Sequence, residues 1–396
     1  MPLRSLPHAA APAEGTRTSL GELARLFLRL GTMAFGGPAV HVAMMEDEVV
    51  RRRGWLSRDE FLDLLGATNL IPGPNSTELA MHVGRARAGW PGLVVAGTCF
   101  ILPAALSVTA LAWAYVRFGR LPAAAGLLYG VKAVVIAVVA QALWRLGHTA
   151  VRTPWLAVVG LLAVGAVAAG VSELLVLLAA GTATAAARRI GPQGSPARDG
   201  RPAALAGVPL AKLGAGAAVA AATAPFGLWP LFTFFLKVGS VLFGSGYVLL
   251  AFLRSGLVVE RGWLTEPQLL DAVAVGQVTP GPVFTTATFI GYLLAGGGGA
   301  AVATIGIFLP GFVLVALSGP LVPRLRRSPT AGAILDGVNV ASLALMATVT
   351  VQLARAALVD PVTVVIASAS AVLLFRFGVN SAWLVLGGAA VGLIAG

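Results

Sequence analysis

The residues able to do chemistry in this sequence gather around a motif that occurs twice. Pro72-Gly73-Pro74 is followed by Asn75, Ser76 and Thr77, and Pro280-Gly281-Pro282 is followed, two residues on, by Thr285 and Thr286. Proline lacks an amide hydrogen and glycine turns freely, so each triplet predicts a broken helix. Small polar residues after a break can cap a new helix. The free N–H groups and dipole at such a helix start make a ready anion site. A backbone break at membrane depth is tolerated where it lines a cavity or is buried in protein. The spacing therefore predicts an anion between the two breaks, held by the amides around Asn75–Thr77 and Thr285–Thr286. The plainer alternative is a pair of packing kinks.

Ionisable residues sit close by. Glu78, His82 and Arg85 follow the first break at i, i+4 and i+7 and share one helix face. Histidine titrates near neutral pH, so the set could couple a proton to transport while Arg85 attracts an anion. It could equally form interhelical hydrogen bonds. The second copy carries Thr286, Ile290 and Leu293 at the matching positions, so any coupling role is asymmetric. Lys132, the only charged residue between Val131 and Leu143, and Lys237 are the candidate cations for the anion. Asp63 and Asp271 are the only repeated acids, one on each helix before a break, and are further coupling candidates. Glu173 reads as a helix start. A single cysteine (Cys99), four histidines and no HExxH or GxSxG pattern argue against a metal site, a cofactor or an enzyme.

The elements that must position these residues are membrane helices. Hydrophobic residues make up 57% of the chain, charged ones 11%, and the mean hydropathy is +0.87, against about 25% charged in a soluble domain. No Asp, Glu, Lys or Arg occurs in Ala88–Val116, Leu213–Leu236 or Ala272–Pro323, and a span needs about 20 apolar residues. The net charge of +12 resides largely in arginine clusters between apolar runs (Arg51–Arg53, Arg188–Arg189, Arg324–Arg327). Headgroup anchoring explains these, and nucleic-acid binding does not. Residues 1–19 lack a signal-peptide core, so the run from about Leu20 reads as an uncleaved insertion signal, placing a multi-pass protein in a bacterial inner (cytoplasmic) membrane.

The chain is internally repeated. Placing each residue against the one 208 positions later pairs Phe27 with Phe235, Gly31 with Gly239, Phe35-Gly36 with Phe243-Gly244 and Arg53-Gly54-Trp55-Leu56 with Arg261-Gly262-Trp263-Leu264. The two Pro-Gly-Pro triplets fall in the same register, which later slips by one so that Pro103 faces Pro310 and Pro154 faces Pro361. Four regions follow: a polar tail over 1–21, a first repeat over 22–188, a linker over 189–229 and a second repeat over 230–396. The apolar stretch near 208–227 in the linker predicts an extra span. An odd connecting span suits two halves of opposite orientation. The expected fold is an all-α polytopic membrane protein of two inverted-topology repeats with broken helices. Within each unit a helix ends at Phe35-Gly36-Gly37-Pro38 or Phe243-Gly244-Ser245-Gly246. The next helix starts at Ser57 or Thr265 and runs to the break. Such a plan predicts a secondary transporter for a small oxyanion.

These motifs resemble the chromate ion transporter family in its long, two-domain form. The resemblance rests on Phe35-Gly36-Gly37-Pro38 with His41, Arg52-Arg53-Gly54-Trp55-Leu56, Pro72-Gly73-Pro74, and Ala96-Gly97 through Phe100 to Leu102-Pro103, and it covers 22–395. It implies efflux of chromate, with sulfate as a competing analogue, driven by the membrane potential or a proton gradient. The expected partners are a small inorganic anion, the lipid bilayer and a second copy in a homodimer, with no nucleic acid. Transport of another anion, such as sulfate, and a non-transporting scaffold are the alternatives.

Overall fold

The computed structural model describes residues 18–34, 38–119, 121–190, 226–243, 248–326 and 328–395. The glycine-rich segments at 35–37 and 244–247, the linker over 191–225 and, but for its last two residues, the predicted span at 208–227 lie outside the described residues.

All regular structure among the described residues is helical. The first repeat comprises α1 (Leu20–Met33), α2 (Pro38–Glu46) continuing into a π turn (Asp47–Arg52), α3 (Arg58–Thr68), α4 (Asn75–Phe118), α5 (Pro122–Ala150), α6 (Pro154–Ala168) and α7 (Glu173–Ile190). The second comprises α8 (Leu228–Val241), α9 (Leu249–Leu253) with its π turn (Arg254–Val259), α10 (Glu266–Val278), a 3₁₀ turn (Val283–Thr285), α11 (Thr286–Arg326), α12 (Pro329–Ala357), α13 (Pro361–Phe377) and α14 (Ser381–Ala395). Local chemistry sets the starts. Ser57 with Glu60, and Thr265 with Gln268, form capping boxes that open α3 and α10. Proline occupies the first turn of α5, α6, α12 and α13, where a missing N–H costs nothing.

The repeated Arg-Gly-Trp-Leu motif is a turn. Gly54 and Gly262 take φ of +59° and +62°, a region that favours glycine. The amides of Trp55 and Trp263 then donate to the carbonyls of Val49 and Leu257, both at 2.8 Å. The Arg53 and Arg261 guanidinium groups lie 5.2 and 5.5 Å from the neighbouring Trp ring centroids.

α4 and α11 are hairpins. In α4 the helix is interrupted at Ala88 and Gly89, and Gly89 has φ +64°. Residues 75–87 then fold back along 90–118. Gly84 and Gly92 meet so closely that a Cβ on either would overlap the carbonyl oxygen of the other. Ala295 and Gly296 make the same turn in α11, with Gly291 against Gly299 and Thr288 hydrogen-bonded to Thr304 at 2.7 Å. Small residues allow this approach, as in other membrane helix pairs. The long arm 90–118 reaches about 43 Å at 1.5 Å per residue, enough to cross a bilayer alone. Four stretches of the described chain are long and apolar enough to span: Asn75–Phe118, Ala125–Ala150, Val283–Ser318 and Pro329–Ala357.

The halves are interleaved. α1 packs on α4 and α8 on α11, each within its own repeat, while α4 meets α11 and α5 meets α12 across the centre. The terminal helix pairs are exchanged: α13 and α14 pack on α5, and α6 and α7 pack on α12. Glycines permit the contact, with Gly126 against Gly392, Gly130 against Gly388 and Gly337 against Ala180.

The halves are also inverted. Arg85, near the turn of the first hairpin, donates to the carbonyls of Val315 and Ala316 at 2.8 and 2.6 Å. The first-repeat counterparts of 315 and 316 are 108 and 109. They lie some 16 residues, about 24 Å, down the long arm from Gly92, which faces Gly84 beside Arg85. The contact exists because the second repeat runs the other way up. The pseudo-two-fold axis therefore crosses the helices rather than following them, as in transporters with inverted repeats.

Candidate substrate-binding site

Both Pro-Gly-Pro triplets break their helices. α3 ends at Thr68 and α4 begins at Asn75, while α10 ends at Val278 and helical structure resumes at Val283. Gly73 and Gly281 take φ of +141° and +95°, a region that side chains beyond Cα resist. The amide of Gly73 donates to the carbonyl of Leu242 at the end of α8 (2.9 Å), and that of Gly281 to Ala34 at the end of α1 (3.0 Å). These reciprocal bonds tie each break to the opposite repeat and bring four helix ends to the centre. His41 Nε2 also lies 3.0 Å from the Ala34 carbonyl, buttressing that end.

A cavity of about 750 Å³ opens between the breaks. Pro74, Asn75 and Ser76 line it on the first repeat and Pro282, Val283 and Phe284 on the second. The amides of Thr77 and Glu78 donate to Pro74 (2.8 and 3.0 Å) and that of Thr285 to Pro282 (3.0 Å). The first-turn amides at 75–76 and 283–284, whose carbonyl partners a helix start does not supply, therefore stand at the cavity wall. α5 contributes Gln141, Arg145 and Thr149, and α12 contributes Asn339 and Ser342. The Gln141 amide donates to the Leu374 carbonyl at 2.9 Å, and Asn75 donates to Asn69 at 2.8 Å. The Ser342 hydroxyl is buried and has no hydrogen-bond partner within the protein. A buried hydroxyl facing a polar cavity without a partner suits a bound anion or water. Helix-start amides, amide side chains, a hydroxyl and a guanidinium together make a donor-rich wall.

The expected residues fall into two groups. Asn75 and Ser76 line the cavity. Thr77, Thr285 and Thr286 do not. They are fully buried, and the hydroxyls of Thr285 and Thr286 donate to Pro282 and Val283 (both 2.8 Å), so they stabilise the helix starts. Lys237 is exposed on α8 and also stands outside the cavity wall. Lys132 is engaged elsewhere: its Nζ is 2.9 Å from Asp271 Oδ1, and Tyr115 Oη donates to Asp271 Oδ2 at 2.9 Å. That triad ties α10 to α5 and α4. Asp63, the repeat equivalent of Asp271, is exposed on α3.

The Glu78 face divides. Glu78 is entirely buried, and neither carboxyl oxygen has a hydrogen-bond partner; the Thr77 hydroxyl and His82 Nε2 are in the same condition. Gly73 leaves room for Glu78, since a Cβ there would overlap Oε1. Arg85 turns away to α11 and stacks over Trp90 at 4.7 Å. The cause is Pro320. It has no N–H to give the Ala316 carbonyl four residues earlier, and Arg85 supplies the donor. Arg145, the cavity's cation on α5, was missed in the sequence because it sits three residues before His148 near the helix end and reads as an interface anchor.

Inverted repeats with broken helices meeting at a central, donor-lined cavity define a membrane transporter. The chain belongs to the chromate transporter family, whose model matches residues 21–185 and 229–393, one copy per repeat. It is 35% identical over 387 residues to a chromate transport protein of Cupriavidus metallidurans, covering 95% of this chain and 93% of the relative. A probable chromate transport protein of Synechococcus elongatus is 35% identical over 343 residues, with 86% of each chain covered. A chromate transport protein of Pseudomonas aeruginosa is 32% identical over 350 residues, covering 85% of this chain and 82% of the relative. No solved structure gives a significant match.

Proposed function

We propose that this protein exports chromate across a bacterial cytoplasmic membrane by secondary active transport, with the anion bound between the two helix breaks. The observation that carries the reading is the pair of reciprocal bonds, Gly73 to Leu242 and Gly281 to Ala34. They draw both breaks onto one cavity whose wall presents two helix starts, Asn75, Ser76, Gln141, Asn339 and Arg145. A dianion taken from water must have its charge matched by donors and cations. Helix-start amides supply partial positive charge, and Arg145 supplies a full one. The names of the three relatives described above, each given for chromate, favour that anion over sulfate.

Coupling falls to Glu78 in this reading. A wholly buried carboxyl with no cation paired to it among the described residues is costly as an ion. It sits on the helix that starts at the first break, one turn beyond the cavity wall, so a proton gained or lost there changes the charge beside the anion. Everted vesicles loaded with the purified protein test the proposal. Labelled chromate should accumulate when a pH gradient is imposed and stop when it is collapsed. Accumulation of sulfate but not chromate would replace the substrate, and uptake indifferent to both gradient and potential would remove the secondary active mechanism.

A further inference from the structure

The two repeats are equivalent in fold but not in packing. α10 is buried against α5, α12 and α14, whereas its counterpart α3 carries a largely exposed face and makes no comparable packing on α12. The cavity shares this asymmetry. On α12 it is lined by Asn339, Ser342, Leu343 and Met346, in the middle of the helix. On α5 it is lined by Val138, Gln141, Arg145 and Thr149, toward the C-terminal end of the helix. The repeat register places Lys132 against Asn339, Asp271 against Asp63, and Val135 against Ser342.

An inverted pair that alternates between two faces exchanges the conformations of its halves. In the exchanged state α3 packs where α10 packs now, and α10 swings out where α3 now stands. The cavity then opens to the other side, lined on α5 by the counterparts of the residues that line it now on α12. Lys132 takes the place that Asn339 holds in the present structure. The same movement carries Asp271 away and parts the 2.9 Å ion pair.

We propose that Lys132 is a state-dependent ligand for the transported oxyanion: sequestered by Asp271, which Tyr115 also holds, in the present state, and delivered to the cavity wall in the opposite-facing one. This rests on the reading of the cavity as the oxyanion site. A buried ion pair is stable only while both charges stay partnered. The parting of α10 therefore leaves the ammonium in need of an anion, and the substrate supplies it. The same register places Gln352 of α12 against Arg145, so the exchanged wall gives up that guanidinium and Lys132 brings a cation in its place. The gradient sets the direction of net transport, and Lys132 keeps a cation in the site on the second face.

Chromate transport measured in right-side-out and everted vesicles tests the switch, comparing wild type with Lys132→Asn, which makes the two repeats alike at this position. The expected result is a KM for chromate raised by roughly tenfold in one vesicle orientation, the worth of one charge-assisted contact, and changed less than twofold in the other. Lys132→Asn leaves Asp271 without its partner and could lower expression. The double variant Lys132→Asn/Asp271→Asn removes that orphaned charge and should show the same one-sided shift. Equal shifts in both orientations, or none, overturn the switch while leaving the cavity reading intact. A wild type that moves no chromate in either orientation removes both.

Discussion

Arg85 offers a test of the inverted arrangement through stability alone. Its guanidinium donates at 2.8 and 2.6 Å to the carbonyls of Val315 and Ala316, a contact available only if the second repeat is upside down relative to the first. Hydrogen bonds to charged groups contribute about 1.5–3 kcal/mol each in soluble proteins. Within membranes, measured side-chain hydrogen bonds average about 0.6 kcal/mol, because the unfolded chain also finds partners. The Ala316 carbonyl is a special case, since Pro320 denies it the usual donor. Arg85→Met should therefore cost about 2 kcal/mol: two bonds at the membrane value, and about 1 kcal/mol for the carbonyl left without a donor. The Trp90 stacking at 4.7 Å adds a contribution of the same order. Unfolding in mixed micelles measures the loss. The decisive arm is the double variant with Pro320→Ala, which returns an N–H to Ala316. In that background Arg85→Met should cost about 1 kcal/mol less, a coupling that a double-mutant cycle resolves. Strict additivity would mean that Arg85 does not serve this carbonyl, and the packing inferred for the two hairpins would fall with it.

Three further outcomes follow from the same geometry. Glu78→Gln should leave chromate binding within a few-fold but remove the response of vesicle uptake to an imposed pH gradient, read as equal rates with and without the gradient. Arg145→Gln should raise the KM for chromate by roughly tenfold with little change in thermal stability, because the residue is exposed at the cavity wall. Gly84→Leu and Gly291→Leu should each destabilise by more than about 3 kcal/mol, since a side chain meets the backbone carbonyl of Gly92 or Gly299 and neither can move aside; expression and melting in detergent report it.

The sequence carried the architecture well because breaks and turns are written in residue types. Pro72-Gly73-Pro74 and Pro280-Gly281-Pro282 stop helices wherever they fall, and the shared register disclosed the duplication before any contact was known. The hairpins were less legible. The charge-free run Ala88–Val116 hid a reversal whose signal is the spacing of Gly84, Gly89 and Gly92, matched by Gly291, Gly296 and Gly299. Glycine is common in membrane helices, so that spacing becomes meaningful only once the arms are seen to touch. The exchange of α13–α14 with α6–α7 is a long-range choice of partner that no local pattern encodes. The ion pair was hidden for a related reason. Lys132 stands alone among apolar residues, which suggested a ligand, and its partner Asp271, 139 positions away, is invisible to spacing. Arg85 shares a helical face with Glu78 in projection. A proline on the opposite repeat draws it elsewhere.

One shared site, rather than one per repeat, is the central claim, and calorimetric titration of the purified protein with chromate addresses it directly. Ser76 and Val283 line opposite sides of the same cavity, so filling it from either side should evict the same anion. The account predicts one chromate per wild-type chain, and no binding to either Ser76→Phe or Val283→Trp. Two chromates per chain, or half the binding surviving in each variant, would contradict it.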